Sequence, residues 1–236
     1  MIKAIFWDND GVLVETEHLY FEATQQVLRS VGIDLTEEQY IDLFLVQGRG
    51  AWHLAEERGI APSDIERLRD ERNKVYSGRL RQGPRLVEGI AGALGALHGK
   101  YVMGVVTSSR KDHFDLIHQR TGLLKYFDFV LTSGDYARGK PDPDPYLRAV
   151  ERSGIDPNEC VAVEDSERGL QAALRAGIRC LVVPSGLTRG RTFAGAHRVL
   201  ASVSEIPTVL SEITRIAKTP EIWQRGRRQM WGVRDD

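Results

Sequence analysis

Cysteine is almost missing from this chain, with two residues, Cys160 and Cys180, in 236. Both sit at the edges of apolar runs and read as buried free thiols, so neither a disulfide framework nor a cysteine metal site fits. There is no excess charge of either sign, with 32 Lys+Arg against 33 Asp+Glu. That balance excludes the overall basic field that draws proteins to nucleic acid or to anionic membranes. Long hydrophobic runs are also lacking: none is long enough to span a bilayer, and the N-terminus has no apolar segment of signal-peptide type. The expectation is a soluble, cytoplasmic protein, monomeric or homodimeric, without internal repeats or low-complexity tracts. Its length suits one good-sized core plus a small accessory domain.

What the chain does have is four short segments, most of them directly after an apolar run. They are "AIFWDNDGVLVETE" (Ala4 to Glu17), "GVVTSS" (Gly104 to Ser109), "RGKPDPDPY" (Arg138 to Tyr146) and "VAVEDSERG" (Val161 to Gly169). The runs Ile2 to Trp7, Val102 to Val106, Phe129 to Thr132, Val161 to Val163 and Cys180 to Val183 lack clean alternation, as strands buried on both faces do. Helical patterns separate them at Leu86 to His98, Asp112 to Arg120, Asp144 to Ser153 and Glu167 to Ala176. Strand and helix alternation of this kind predicts an α/β fold with a doubly wound parallel sheet. Open sheets bind ligands beyond the carboxyl ends of their strands, where these segments fall.

Between Val14 and about Leu86 the pattern is helical, with no convincing strand. Helices are expected over Leu19 to Val31, Glu37 to Gln47, Ala51 to Arg58 and Pro62 to Leu80. Thr36 and Ser63 resemble helix starts, while Gly32 and Gly59 resemble stops. This is too much helix for one crossover, so residues 15–85 are expected to form a helical cap inserted into a core of residues 1–14 and 86–218. A C-terminal extension, residues 219–236, follows.

The chemistry can be read residue by residue. On extended backbone, positions i and i+2 face the same way, so Asp8 and Asp10 point together while Asn9 points away. Gly11 then permits a sharp turn. Two close carboxylates in unlike surroundings divide into a nucleophile and a general acid/base. Asp8 is the candidate for attack on phosphorus and Asp10 for proton transfer. Mg²⁺ suits the carboxylates of Asp8 and Asp165, with Glu164 as an outer ligand or as acceptor for a bound water. Lys140 supplies a point positive charge, and Thr107 with the backbone N–H groups of Ser108 and Ser109 can hold phosphate oxygens. Singly, each segment has a plainer reading: Asp-x-Asp-Gly as a turn, Thr107 as a cap, Lys140 as a solvated charge, Glu164 and Asp165 as helix-capping acids. Their joint occurrence at strand ends is what points to phosphoryl transfer.

In combination the four motifs resemble the haloacid dehalogenase superfamily, in the branch with a helical cap that includes phosphoglycolate phosphatases and β-phosphoglucomutases. The resemblance covers roughly residues 1–215. It implies a Rossmann-like core, Asp8 as nucleophile and metal ligand, and Asp10 as acid/base with its carbonyl on the metal. It also implies Thr107 on the transferring phosphoryl group, Lys140 neutralising nucleophile and phosphate, Asp165 as metal ligand assisted by Glu164, and a cap that closes over the site. Family members that cleave carbon–halogen or carbon–phosphorus bonds lack an aspartate at the position of Asp10, so those reactions are not expected.

The expected function is Mg²⁺-dependent hydrolysis of a small phosphorylated metabolite through an aspartyl phosphate, the partner being a small-molecule phosphate ester. A sugar-phosphate mutase is the alternative, and a phosphate-ester-binding protein without turnover is a third reading. The mutase is disfavoured because Tyr20 stands where those enzymes carry a histidine, with His18 two residues earlier, and because "VQGRGAW" (Val46 to Trp52) has no clear phosphate-binding arginine unless Arg49 serves. Glu15 stands where the family often has aspartate. Candidate cap contacts to substrate are Tyr20, Gln47, Arg49, Trp52 and His53, although Trp52 alone reads as cap core and His53 as surface. Gly92 and Gly95 read as close helix packing. Beyond the family pattern, Arg225, Arg227 and Arg228 with Trp223, Met230 and Trp231 form either a partner-binding segment or a tail folded over the core.

Overall fold

A computed structural model describes residues 1–217; the expected C-terminal extension lies outside them. The central sheet has six parallel strands in the order β5-β4-β1-β6-β7-β8. They are β1 (Ala4–Trp7), β4 (Val102–Val106), β5 (Phe129–Leu131), β6 (Cys160–Glu164), β7 (Arg179–Val182) and β8 (Arg198–Val199). β1 and β6 are buried along their whole length, as expected of strands covered by helices on both faces. Two clusters fill those faces, one around Ile5, Trp7, Val105 and Val163, the other around Phe6, Val106, Ala162 and Leu170. Covering helices include α5 (Ile90–Leu97), α6 (Lys111–His118), α7 (Asp144–Ser153), α8 (Glu167–Arg175) and α9 (Ile206–Ala217).

Strand register places the site. Trp7, the last residue of β1, pairs with Val105 of β4 on one side and Val163 of β6 on the other. Asp8 continues the ladder by donating its N–H to Val163 O at 2.9 Å, and Thr107 does the same toward Leu131 O at 3.0 Å. Residues just past the ends of β1, β4 and β6 are thereby brought side by side, where the strand order reverses direction.

The helices of the insertion are α1 (Glu17–Ser30), α2 (Glu37–Tyr40), α3 (His53–Glu56) and α4 (Pro62–Leu80). They surround a separate cluster that includes Leu28, Leu35, Tyr40, Leu45 and Ala55. Gly32 and Gly59 are left-handed stops, with φ of 75° and 76°. Thr36 makes a full capping box with Gln39. Ser63 does not start a helix: α4 begins at Pro62 behind Ala61, the fixed φ of proline supplying the first helical turn. The helix expected over Glu37 to Gln47 is one α-turn followed by a π-helical stretch, Ile41–Val46. That expected over Ala51 to Arg58 narrows to α3.

Two short strands correct the reading of 14–86 as strandless. β2 (Val14–Glu15) pairs antiparallel with β3 (Arg85–Leu86) and closes the base of the insertion. Leu86 therefore belongs to a strand, and the following helix starts only at Ile90 because Gly89 has φ of 83°. Strand β8, two exposed residues, had no apolar run to announce it.

Gly104 sits in β4 between Phe6 of β1 and Phe129 of β5, whose rings pack at 6.0 Å. A methyl group there would lie 2.3 Å from the Phe129 ring. Gly104→Ala is therefore expected to destabilise the fold by about 1–3 kcal/mol through overpacking. Denaturant unfolding checks this, and Phe129→Leu should recover part of the loss; an unchanged midpoint in Gly104→Ala would show that the ring moves freely.

Candidate active site

Lys140 joins the strand ends. Its Nζ donates to Asp8 Oδ1 at 2.7 Å and Val106 O at 2.8 Å, and lies 2.6 Å from Glu164 Oε1. The loop carrying it enters through a cis Lys140–Pro141 peptide bond. Glu164 is fully buried, and its Oε1 also accepts the Tyr146 hydroxyl at 2.5 Å. Burial works against the ammonium, yet the charges of Asp8 and Glu164 outweigh it and hold Lys140 above the ordinary lysine range. Burial pushes the Asp8 carboxyl up to about 7, against the opposing pull of Lys140.

Asp10 turns to the same side as Asp8 and is held by hydroxyls. Oδ1 accepts from Thr16, while Oδ2 accepts from Ser109 Oγ at 2.6 Å and from the buried Thr107 Oγ1 at 3.3 Å. Thr107 Oγ1 also receives the Ser109 N–H at 3.0 Å, so that amide is already engaged within the loop. Ser108 Oγ is buried without a partner. Asp165 is reached across the turn at Gly11, whose φ is 85° and whose added methyl would lie 1.9 Å from Asp165 Oδ2; no other residue fits that approach. Ser185 Oγ donates to Asp165 Oδ2 at 2.9 Å.

Asp8, Glu164 and Asp165 each offer an oxygen within 4.8 Å of the others. Burial, and then the charges of Asp8, Glu17 and Glu164, push Asp165 well above the usual carboxylate range. Glu164 Oε2 has no hydrogen-bond partner. Clustered buried oxygens with one ammonium among them fit a hard divalent cation.

A cavity of about 110 Å³ opens over Asp8 and Asp10. Its far wall is aromatic: Tyr20, Phe44 and Tyr76 from the insertion. Tyr20 meets Tyr76 edge-on at 5.0 Å and is backed by Arg72 at 4.5 Å from its ring. The insertion residues named from sequence divide. Tyr20 faces the cavity, whereas Gln47 is exposed and bonded to Asp42, Arg49 is exposed outside the cavity wall, and Trp52 is buried in the helical cluster between arginines. Their loop does approach the core, since a methyl on Gly48 would lie 2.7 Å from Lys140 O. His53 is partly buried and His18 exposed, the latter lining a larger cleft of about 600 Å³ beyond Asp165.

Several cavity residues escaped the sequence reading: Glu17, Phe44, Tyr76, Arg110, His113 and Arg168. Arg168 lies inside the motif "VAVEDSERG", a charge beside the acid pair that could have marked it; Tyr76 and His113 carry no local signal.

Comparison with known proteins agrees with this geometry. Residues 5–183 match the family of haloacid dehalogenase-like hydrolases. A phosphorylated carbohydrates phosphatase of Thermotoga maritima is 33% identical over 219 residues, covering 90% of this chain and 100% of its own. Protein CbbY of Cereibacter sphaeroides is 34% identical, covering 87% and 94%. A mutant of CbbY from Rhodobacter sphaeroides, solved with xylulose-(1,5)bisphosphate, superposes with a TM-score of 0.73 at 28% identity, covering 87% of this chain and 96% of its own. The chain belongs to the haloacid dehalogenase-like hydrolases. Within them it is a phosphoric monoester hydrolase.

Behind the site, His118 holds Asn9. Nε2 lies 2.7 Å from Asn9 Oδ1 and Nδ1 2.9 Å from Thr121 Oγ1, a pairing that a neutral ring with its proton on Nε2 satisfies. Burial lowers this histidine to about 4. With the folded value below the unfolded one, the neutral ring's contribution is complete above about pH 6.5 and is lost as pH falls toward 4, by up to about 3 kcal/mol. His118→Gln should thus flatten the fall in stability between pH 6.5 and 4.5 relative to wild type. Parallel curves for the two proteins would show that His118 does not carry this dependence.

Proposed function

We propose that the protein is a Mg²⁺-dependent phosphatase of small phosphorylated metabolites, sugar phosphates or phosphoglycolate-like acids, working through a phosphorylated Asp8. The observation that carries this reading is the pairing of Asp8, bonded through Oδ1 to Lys140, with an Asp10 held by three hydroxyl-bearing residues at the same sheet edge. Support for the substrate class comes from the relatives, named for phosphorylated carbohydrates and, in one crystal structure, bound to a sugar bisphosphate.

In this reading an oxygen of Asp8 attacks phosphorus, the P–O bond to the leaving group breaks, and Asp10 gives that oxygen its proton. Asp10 then takes a proton from the water that attacks the aspartyl phosphate, releasing phosphate and restoring Asp8. Lys140 and the Ser108 hydroxyl offset charge on the phosphoryl oxygens. Thr107 braces Asp10 and Ser109. Asp8 and Asp165, with the Asp10 carbonyl, would hold Mg²⁺, which when bound neutralises charge between nucleophile and phosphate. Glu164 positions Lys140 and keeps Oε2 for the cation or its water. The helical insertion, residues 15–85, serves as a cap that excludes water through Tyr20, Phe44 and Tyr76.

The support for hydrolysis over mutase chemistry is local. Arg49, the one arginine of the loop that could hold a second phosphate, and His18, the histidine nearest the mutase position, stand outside the cavity that contains Asp8 and Asp10.

Phosphate release from sugar phosphates, phosphoglycolate and nucleoside monophosphates should require Mg²⁺ and stop with EDTA. Asp8→Asn should lower turnover by about 1,000-fold or more while leaving the thermal midpoint near wild type. Wild-type protein that binds these esters yet releases no phosphate from any would support the binding-protein reading instead.

A further inference from the structure

The cavity contains a positive group for which the hydrolytic steps above have no use. Arg168, the second residue of α8, lines it together with Asp8, Asp10 and Ser108. Its Nε is closed off from solvent and has no acceptor, and among the described residues its guanidinium makes no hydrogen bond or ion pair. The nearby carboxylates take their hydrogen bonds from other groups, Asp8 from Lys140, Glu164 from Lys140 and Tyr146 through Oε1, Asp165 from Ser185, and Asp10 from Thr16, Thr107 and Ser109, and none of them bonds Arg168. Glu17 accepts the Tyr40 hydroxyl. Burial works against the Arg168 charge, but Glu17 and then Asp8 outweigh it, so the group remains a cation without a bonded counter-ion.

A guanidinium presents a planar fork of donors matched to a carboxylate or a phosphate, and burying such donors unpaired is unfavourable. Lys140 and the cation site already serve the phosphate that is cleaved. We propose that Arg168 is a specificity-determining residue that binds a second anion on the substrate. The preferred esters are then those whose leaving group carries its own negative charge, a carboxylate or a second phosphate, within a few atoms of the scissile bond. The small cavity and its aromatic wall of Tyr20, Phe44 and Tyr76 favour a compact leaving group that keeps this anion within reach. Arg110, at the mouth of the cavity, is half-exposed and paired with Asp112, so it adds positive potential without being a free fork. The inference deepens the phosphatase reading and depends on it.

The test is a cycle that crosses Arg168→Gln with two matched substrate pairs in Mg²⁺ buffer: phosphoglycolate against phosphoglycolamide, and a sugar bisphosphate against the corresponding monophosphate. The quantity read is the ratio of kcat/KM for the charged member to that for the neutral member. In wild type this ratio should favour the charged member, and Arg168→Gln should reduce it at least fivefold in one pair, chiefly through KM, with Arg168→Lys recovering part. The pair that responds tells carboxylate from phosphate. A change below fivefold in both pairs overturns the proposal and leaves Arg168 as a general counter-charge to the carboxylates. The same pairs titrated by calorimetry into Asp8→Asn, with and without Arg168→Gln, give the ratio as binding constants. Absence of turnover in wild type would then count against the phosphatase reading, while the binding ratio still decides the role of Arg168.

Discussion

A buried ammonium between two carboxylates is the constraint on which the rest of this site depends. Lys140 touches the residue after β1, the last residue of β6 and the last carbonyl of β4, so one side chain ties together three neighbouring strand ends. Were the lysine missing, Asp8 and Glu164 would face each other in a largely buried region, and like charges there are strongly unfavourable. With it present, the carboxylates can stay close enough to share a cation and a phosphate. Tyr146 adds a hydroxyl to Glu164 from α7, so the helix that follows the lysine loop also secures its partner.

Placement of these groups follows from ordinary parallel-sheet register. Asp8 and Thr107 extend their ladders by one hydrogen bond each before the chain departs, which fixes their positions without strain. The exception is Gly11. There the chain folds back so closely that a side chain would displace the Asp165 carboxylate. Asn9, facing away from the site, is gripped by His118 of α6, so both faces of the Asp-Asn-Asp segment are held, one by charge and one by a neutral imidazole.

The helical insertion plays a different part. Its own apolar cluster lets it pack around Tyr40, Leu35 and Leu45, while Tyr76 and Leu80 of α4 join the core cluster beneath it. The cavity wall is thus made by residues that also stitch insertion to core. Tyr20 exemplifies this, lying against Tyr76 on one side and Arg72 on the other. A molecule occupying the cavity above Asp8 would touch groups whose packing reports on both parts of the chain.

Much of this was legible before any fold was known. Apolar runs bounded by Gly, Pro and charged loops marked five of the six sheet strands, because strands buried on both faces must be apolar throughout. The acids, the threonine and the lysine were readable because each lies at the end of a strand, just beyond one, or in the loop that returns to one. What local pattern could not carry were the two-residue strands β2, β3 and β8, too short for any periodicity, and the choice among insertion residues. Gln47, Arg49 and Trp52 had suitable chemistry, but they lie in the connection between the π-helical stretch and α3, which leaves Gln47 and Arg49 in solvent and packs Trp52 into the helical cluster. Tyr76 and His113, distant in sequence and ordinary in context, face the cavity. The sequence by itself determined the order of strands and helices, the identity of the candidate acids, threonine and lysine, and their place at strand ends, since these depend on local patterning. Only tertiary structure decided which side chains share the cavity and which donors remain unpaired there, because those depend on packing between segments far apart in the chain.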